Sequence, residues 1–337
     1  VLLFFWNVLF LWPTCLVAEV KYYKADVCVY GGTASGVMAA LAAHQEGSKV
    51  ILIEPTRSLG GMTGGGINHL DWGKGETVGG STYKILMEGL KEQKRAHGGH
   101  AKHGIGNKQY RERFKKLVKD RGITVIYDHR VGKVQVGDET LDKPTRQKPI
   151  AMGEKIPSKN KNNSIQSIIL DYAPVDETGC PIPEPKKRNV ITVSAKVFID
   201  CSYEGDILGM SGVRYTWGRE SRNHFGESLA GVRPSLWVHD IDPYVEPGNP
   251  ESGLIPFIQD RKLGPLGSAD ALSMGYCFRY EFDMSGKGIP IPEPKNYDPA
   301  EFEVYRRAIR DGVDIFSNRH MRTTLNKFTV HKKAPFV

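Results

Sequence analysis

Residues 26–66 read DVCVYGGTASGVMAALAAHQEGSKVILIEPTRSLGGMTGGG. Glycine loses more backbone entropy on folding than any other residue, so glycine crowded at both ends of one stretch marks backbone that turns sharply or lies close to something bulky. DVCVY has the unbroken apolar character of a buried strand, GVMAALAAHQE that of a helix closed by Gly47, and KVILIE that of a second strand. The three together make a βαβ unit. Its first turn, Gly31-Gly32-Thr33-Ala34-Ser35-Gly36, fits the frame GxGxxG except that Thr33 stands where the second glycine belongs. Gly31 is read as the tight turn and Gly36 as the point of close helix–sheet packing, aided by Ala39, Ala40, Ala42 and Ala43. The helix that follows offers free N–H groups and a positive dipole end to a pyrophosphate. Glu54, eighteen residues after Gly36 at the end of the second strand, is expected to face the ligand crevice and accept hydrogen bonds from ribose hydroxyls. The alternative is a tight strand–helix turn in another α/β fold.

NAD and FAD share this fingerprint, and the residues after Glu54 separate them. PTRSLGGMTGGG is a second glycine loop where a nicotinamide-binding domain ordinarily begins a helix. Two backbone approaches in series suit a longer ligand with a pyrophosphate, a ribityl chain and a tricyclic ring. FAD is therefore expected, and an NAD-binding dehydrogenase is the alternative within enzymes. Glu54 argues against NADP, whose 2′-phosphate it would repel.

Outward from this unit the chain is an ordinary globular sequence of 337 residues, 40% hydrophobic and 25% charged, long enough for two domains. Its net charge of +8 would admit nucleic acid, but the excess lies in one place: Ser81 to Gly122 holds twelve Lys or Arg against four Asp or Glu. There KQYRERFKKLVKDRG puts Tyr110, Phe114, Leu117 and Val118 on one helical face and the basic residues mostly on the other. That is a solvated amphipathic helix, without the interleaved aromatics of a single-strand-binding surface, so no nucleic-acid partner is expected. ITVIYDHRVGKVQV follows as a β segment, Gly137 to Asn163 as a polar insertion, and SIQSIILDYA and NVITVSAKVFIDCS as strands. Beyond Tyr215 the sequence turns irregular, with Gly and Pro spread through it.

Val1 to Ala18 is apolar, interrupted by Pro13, and ends in a small residue before Glu19. This suits a secretory signal, with an uncleaved anchor as the alternative and the one expected route to a membrane. The protein is thus expected to be exported, periplasmic or secreted. Cys28, Cys180, Cys201 and Cys277 contain no CxxC pair, so neither a disulfide framework nor a zinc or other metal site is indicated.

Three blocks, VYGGTASGVMAALAAHQEGSKVILIEPTRSLGGMTGGG, VFIDCSYEGDILGMSGVRYTWGRESRNHFGESLAGVR and YCFRYEFDMSGKGIPIPEPKNYDPAEFE, resemble successive parts of a family of FAD-dependent oxidoreductases, largely uncharacterised and often exported, within the glutathione-reductase-like flavoproteins. The resemblance runs from about Ala25 to Tyr305, and GGT is usual at the first turn of such proteins. It implies an α/β fold: a Rossmann-like FAD-binding domain at 25–232, a parallel sheet with flanking helices and a ββ insertion, its polar insertion at about 137–163. Part of a second, mixed α+β substrate domain follows at 233–337. It implies FAD at Gly31, Gly32, Ser35, Gly36, Glu54, Gly60, Gly61 and Met62, an adenine met by backbone near Arg130 and Val131, and Asp200 at a strand end returning beneath the cofactor. Family members continue past Val337, so the chain is expected to be truncated.

A flavin carries the redox chemistry, leaving substrate orientation and proton handling to the protein. The candidates are His69 and Asp71 in GINHLDWGKG and Arg279 in YCFRYEF. Arg219, Glu220, Arg222, His224 and Glu227 in GRESRNHFGES suit either an anionic or hydroxylated substrate or internal ion pairs. The expected function is hydride transfer between a small organic substrate and FAD; a non-catalytic secreted remnant with a vestigial nucleotide site is the reading from another class. Neither the substrate nor the oligomeric state is legible.

Overall fold

The computed structural model describes residues 20–65, 79–85, 88, 107–143, 164–177, 179–213, 215, 217–233, 241–258, 260, 264–272, 293, 295–312, 321–324 and 327–330. The segment 1–18, most of the polar insertion, His69, Asp71 and Arg279 lie outside them. The chain divides into two compact units between Val213 and Arg214; the sequence expectation placed the domain boundary after Val232.

The first unit runs β1 (Lys21–Tyr30), α1 (Ala34–Gln45), β2 (Val50–Glu54), α2 (Gly61–Gly65), α3 (Asn107–Asp120), β3 (Thr124–Tyr127), β4 (His129–Val136), β5 (Glu139–Leu141), β6 (Ile165–Tyr172), β7 (Lys187–Asp200) and α4 (Asp206–Met210). These seven strands form one sheet in the order β3-β2-β1-β7-β6-β4-β5. β3, β2, β1 and β7 are parallel, with Val27 opposite Val50 and Tyr30 opposite Asp200. β6, β4 and β5 are antiparallel.

Alternation along β1 and β2 explains why both read as unbroken apolar runs. Val27, Val29, Val50 and Leu52 pack with Val37, Ala40 and Leu41 of α1 and Tyr110, Phe114 and Val118 of α3. Their neighbours Cys28, Tyr30, Ile51 and Ile53 join Val131 and Val134 of β4, Ile168 and Leu170 of β6, and Ile207 of α4. A parallel sheet covered on both faces needs apolar residues at every position. Full burial of one such side chain stabilises the fold by roughly 1.5–3 kcal/mol. Helices α1 and α3 cover one face, and the antiparallel strands with α4 pack on the other. α3 has the anticipated polarity, with Tyr110, Phe114 and Val118 buried and its exposed Lys116 bound to Asp120 at 2.7 Å.

Two expectations are corrected. ITVIYDHRVGKVQV is two strands, broken at Asp128, whose φ of +61° lies in the left-handed region. Its carboxylate accepts from Arg57 Nε at 2.9 and 3.0 Å and its carbonyl from Ala173 N at 2.9 Å, ties that over-determine the conformation. The polar insertion is also not loop from its start. Gly137, at φ +57°, and Asp138 form a two-residue turn into β5, which pairs with β4.

The second unit holds a helical turn α5 (Arg222–Phe225), 3-10 turns at Pro250–Ser252 and Pro299–Phe302, α6 (Glu303–Arg310) and a hairpin, β8 (Met321–Thr324) with β9 (Lys327–Val330). Its irregular backbone is gathered by buried Arg307, which donates to the carbonyls of Asp242 (2.9 Å), Tyr244 (2.6 Å) and Val245 (3.0 Å) and to Glu303 Oε1 (2.9 Å).

Candidate functional site

Three loops converge at the carboxyl ends of β1, β2 and β7, where open α/β sheets bind ligands. The first is Gly31-Gly32-Thr33. Gly31 sits at φ +90°, and a Cβ there would lie 2.6 Å from Ser202 N and 2.7 Å from the Cys201 carbonyl carbon, so the β1 turn and the β7 loop touch backbone to backbone. Thr33 is the N-cap of α1: Gly36 N donates to its Oγ1 at 3.2 Å, and its hydroxyl donates to the Cys201 carbonyl at 2.9 Å. The residue in place of the second glycine therefore ties helix, turn and third loop together. Ser35 Oγ lies 2.9 Å from Thr33 Oγ1. No described residue accepts from the amides of Ala34 and Ser35. Two free N–H groups at the start of a twelve-residue helix fit a pyrophosphate.

Glu54 departs from expectation. It is buried, 7% exposed, with Oε2 accepting from Gly32 N at 2.7 Å and Oε1 from Thr56 N at 2.7 Å and Thr56 Oγ1 at 2.6 Å. Burial pushes its carboxyl above the usual range, the hydrogen bonds from Thr56 and Gly32 oppose that, and Glu204 adds to it. A carboxylate has about four lone-pair sites, so one remains for a ligand, but Glu54 also holds the glycine turn in shape. Thr56, the partner that sequence reasoning passed over, stands two residues after the acid, the spacing of a local side-chain turn.

The second loop lies beside the first: Gly60 N donates to Gly32 O at 2.7 Å, and Gly60 bridges Thr33 in parallel. Gly61 opens α2, and Met62 is half exposed. In the third loop Asp200 takes Ser202 N (2.9 Å), Ser202 Oγ (2.7 Å) and Leu208 N (2.9 Å), fixing the path from β7 into α4. Asp200 is thus a loop-forming acid beneath the turn.

On the β4 side, Val131 N donates to the Tyr30 hydroxyl at 3.2 Å, which donates in turn to Asp206 Oδ2 at 3.1 Å. The Val131 amide, the group that the resemblance offers to an adenine, is engaged by Tyr30 in this structure. Burial raises Asp206 above the ordinary carboxylate range and Tyr30 well above the phenol range. Arg130 donates to the carbonyls of Ile182 and Pro183. Burial likewise pushes the Cys28 thiol up to about 12 and raises Cys201, which leaves neither poised as a nucleophile. In the second unit Arg219 forms a two-pronged ion pair with Asp270, Nε to Oδ1 at 2.8 Å, the internal-pair alternative of the sequence. Among the described residues no cluster of His, Cys, Asp or Glu could hold a metal, and no helix is long and apolar enough to cross a membrane.

The model of the family described as FAD dependent oxidoreductase matches residues 26–152 and 182–333. No curated protein matches the chain. Among solved structures the chain is similar to a geranylgeranyl bacteriochlorophyll reductase-like protein from Thermoplasma acidophilum, at 15% identity over 58% of this chain and 43% of that one, TM-score 0.33. It is similar to L-proline dehydrogenase from P. horikoshii at 14% identity, over 61% of this chain and 26% of that one, TM-score 0.28. A third is thioredoxin reductase from Streptococcus pyogenes, 12% identical over 52% of this chain and 34% of that one, TM-score 0.26. The chain spans less than half the length of each of the three.

Proposed function

We infer that this chain, which belongs to the FAD-dependent oxidoreductase family, holds FAD across the three loops of its first unit and serves hydride transfer between the flavin and a small organic substrate. The observation that carries the reading is the hydrogen bond from Gly60 to Gly32. It sets the two glycine loops side by side at one end of the parallel strands, where a single long ligand can lie along both.

In this reading the free amides of Ala34 and Ser35 meet the pyrophosphate, and the Thr33 cap keeps them aimed there. The remaining lone pair of Glu54 accepts from ribose. Gly60, Gly61 and Met62 line the flavin end, with Asp200 setting the floor through the third loop. The Tyr30 hydroxyl would release the Val131 amide for a direct adenine contact. When bound, FAD supplies the two-electron chemistry, taking a hydride from the substrate or giving one to it, and the accompanying proton is left to the protein. His69 and Asp71 are the groups to substitute first in seeking what handles the proton, and Arg279 in seeking what orients the substrate. The apolar start of the sequence supports export.

Purified protein is expected to be yellow and to release FAD on denaturation. Protein that is colourless and takes up no FAD on reconstitution overturns the reading. Saturable NADH binding without flavin would favour the NAD alternative.

A further inference from the structure

We propose that Tyr203 is a positioning residue for the flavin cofactor, a latch that pins the first turn of α2 to the β7–α4 loop and keeps the second glycine loop in register with the first. This rests on the flavin reading above.

The geometry is specific. Met62 N donates to the Tyr203 hydroxyl at 2.8 Å. On the other side of the same short segment, Gly60 N donates to Gly32 O at 2.7 Å. Residues 60–62 are therefore held from both flanks, by the first glycine turn and by the third loop. Between the two ties lies Gly61 at φ +51°, where a Cβ would stand 2.3 Å from the Tyr203 hydroxyl and 3.0 Å from Cζ. The space that a side chain would fill at Gly61 is the space the phenol occupies. The pair explains itself only together: the tyrosine can reach the Met62 amide because residue 61 is glycine.

A tyrosine kept for stability buries its ring, since the ring carries most of the stabilisation. Tyr203 does the reverse. It is 58% exposed, with its hydroxyl bound to a backbone amide rather than to water alone. Such a contact adds little to the core, yet it fixes the spacing of two loops that must both meet one ligand. Having accepted from Met62, the hydroxyl still has its own proton to donate, and no described residue takes it.

The test uses the full chain reconstituted with FAD, as wild type, Tyr203→Phe, Gly61→Ala and the double variant. Three quantities are read: the Kd for FAD by titration of apo-protein, the absorption envelope of the bound flavin, and the melting temperature of the apo-protein. Tyr203→Phe removes the hydroxyl alone, and about tenfold weaker FAD binding is expected, the contribution of one hydrogen bond, with an altered flavin envelope and an unchanged apo melting temperature. Gly61→Ala should weaken binding more in the wild-type background than in the Tyr203→Phe background, because the hydroxyl is the atom its methyl meets; that non-additivity is the signature of the latch. A wild type that binds FAD beside a Tyr203→Phe variant that binds it equally well overturns the latch and leaves the flavin reading standing. A loss of affinity matched by a falling apo melting temperature makes Tyr203 a residue of the fold and overturns it too. A wild type that takes up no FAD overturns the flavin reading, and the latch with it.

Discussion

In the first unit, the irregular backbone around Gly32 and Ser202 is held by carboxylates: Glu54 accepts from Gly32 N and Thr56 N, and Asp200 from Ser202 N and Leu208 N. In the second unit the Asp242 carboxylate likewise takes the amides of Tyr244 and Gly248, but the carbonyls of Asp242, Tyr244 and Val245 are gathered by a cation, Arg307. Around the glycine turn acids gather N–H groups; at Asp242 to Val245 a guanidinium adds a cluster of C=O groups. The two devices leave opposite polarities behind. Where acids have taken the nearby amides, those of Ala34 and Ser35 are left with no acceptor among the described residues. Around Arg307 it is carbonyls that have been gathered, and they offer an anion nothing.

The largest expected effect breaks the second device. Arg307→Met keeps much of the apolar stem but leaves three carbonyls without their donor and Glu303 with only Arg306 and Arg310 among the described residues, and should cost about 3 kcal/mol. Hydrogen exchange is expected to lose protection over 241–258 while 26–54 keeps it. Equal loss in both segments would show that the units do not hold their loops separately.

The next effect breaks the first device. Glu54→Leu leaves two amides and a hydroxyl without their acceptor, so the apo-protein itself should lose about 2 kcal/mol, besides binding FAD on the order of a hundredfold more weakly. Glu54→Gln retains acceptor capacity and should do less of both. Apo melting temperature and FAD titration separate the two roles, and a Leu variant melting like wild type would return Glu54 to the ligand alone.

The smallest effect sharpens the contrast through pH. Burial raises the Glu54 and Asp206 carboxyls in the folded state. Between the ordinary value, 4.5 for Glu54, and the raised one, the folded first unit binds more protons than the unfolded chain. The stability these two groups contribute is therefore greatest below that window and declines as pH rises through it. Glu303 is held below its ordinary 4.5, first by the Arg307 hydrogen bond and then by Arg306 and Arg310. The stability it contributes is present above 4.5 and is lost as pH falls through the lowered value. Acidification should thus favour the first unit and loosen the second. Segment-resolved exchange between about pH 6 and about pH 4, corrected for intrinsic rates, reads both signs; movement in one direction for both units would end the comparison. Glu54→Gln should flatten the first unit's response.

Much of the first unit was legible because its signals are local. Strand, turn, helix and strand from Asp26 to Glu54 read directly from periodicity and glycine, and so did the face of α3. The glycine turn at the end of β1 was located by the same signals. What escaped was long-range. Nothing near Tyr30 in the chain tells that its hydroxyl meets Val131 and Asp206, and nothing near Gly61 announces Tyr203. Thr33 read as a departure from a glycine motif because its role depends on the Cys201 carbonyl, brought alongside by the β1–β7 pairing. The Gly137-Asp138 turn was readable in principle, but surrounding lysines made the segment look uniformly polar. In the second unit the ties of Arg307 cross some sixty positions of sequence, beyond the reach of any periodicity.

The placing of β7 has a consequence in time as well as space. Lys21 to Tyr30 pair with Ile191 to Asp200, and the other edge of β7 carries β6, so this late strand joins the parallel half of the sheet to the antiparallel half. During synthesis β1 must wait, with that edge unpaired, until the ribosome has delivered β7, roughly ten to thirty seconds at ordinary elongation rates. Across that interval the nascent chain carries an apolar, hydrogen-bond-hungry border that other chains could extend. The glycine turn cannot take its final shape before then, since its third wall, Cys201 and Ser202, has not yet been made. The hazard of misassembly therefore falls in the interval before Ser202 is made, and any ligand that needs this turn can be taken up only after it.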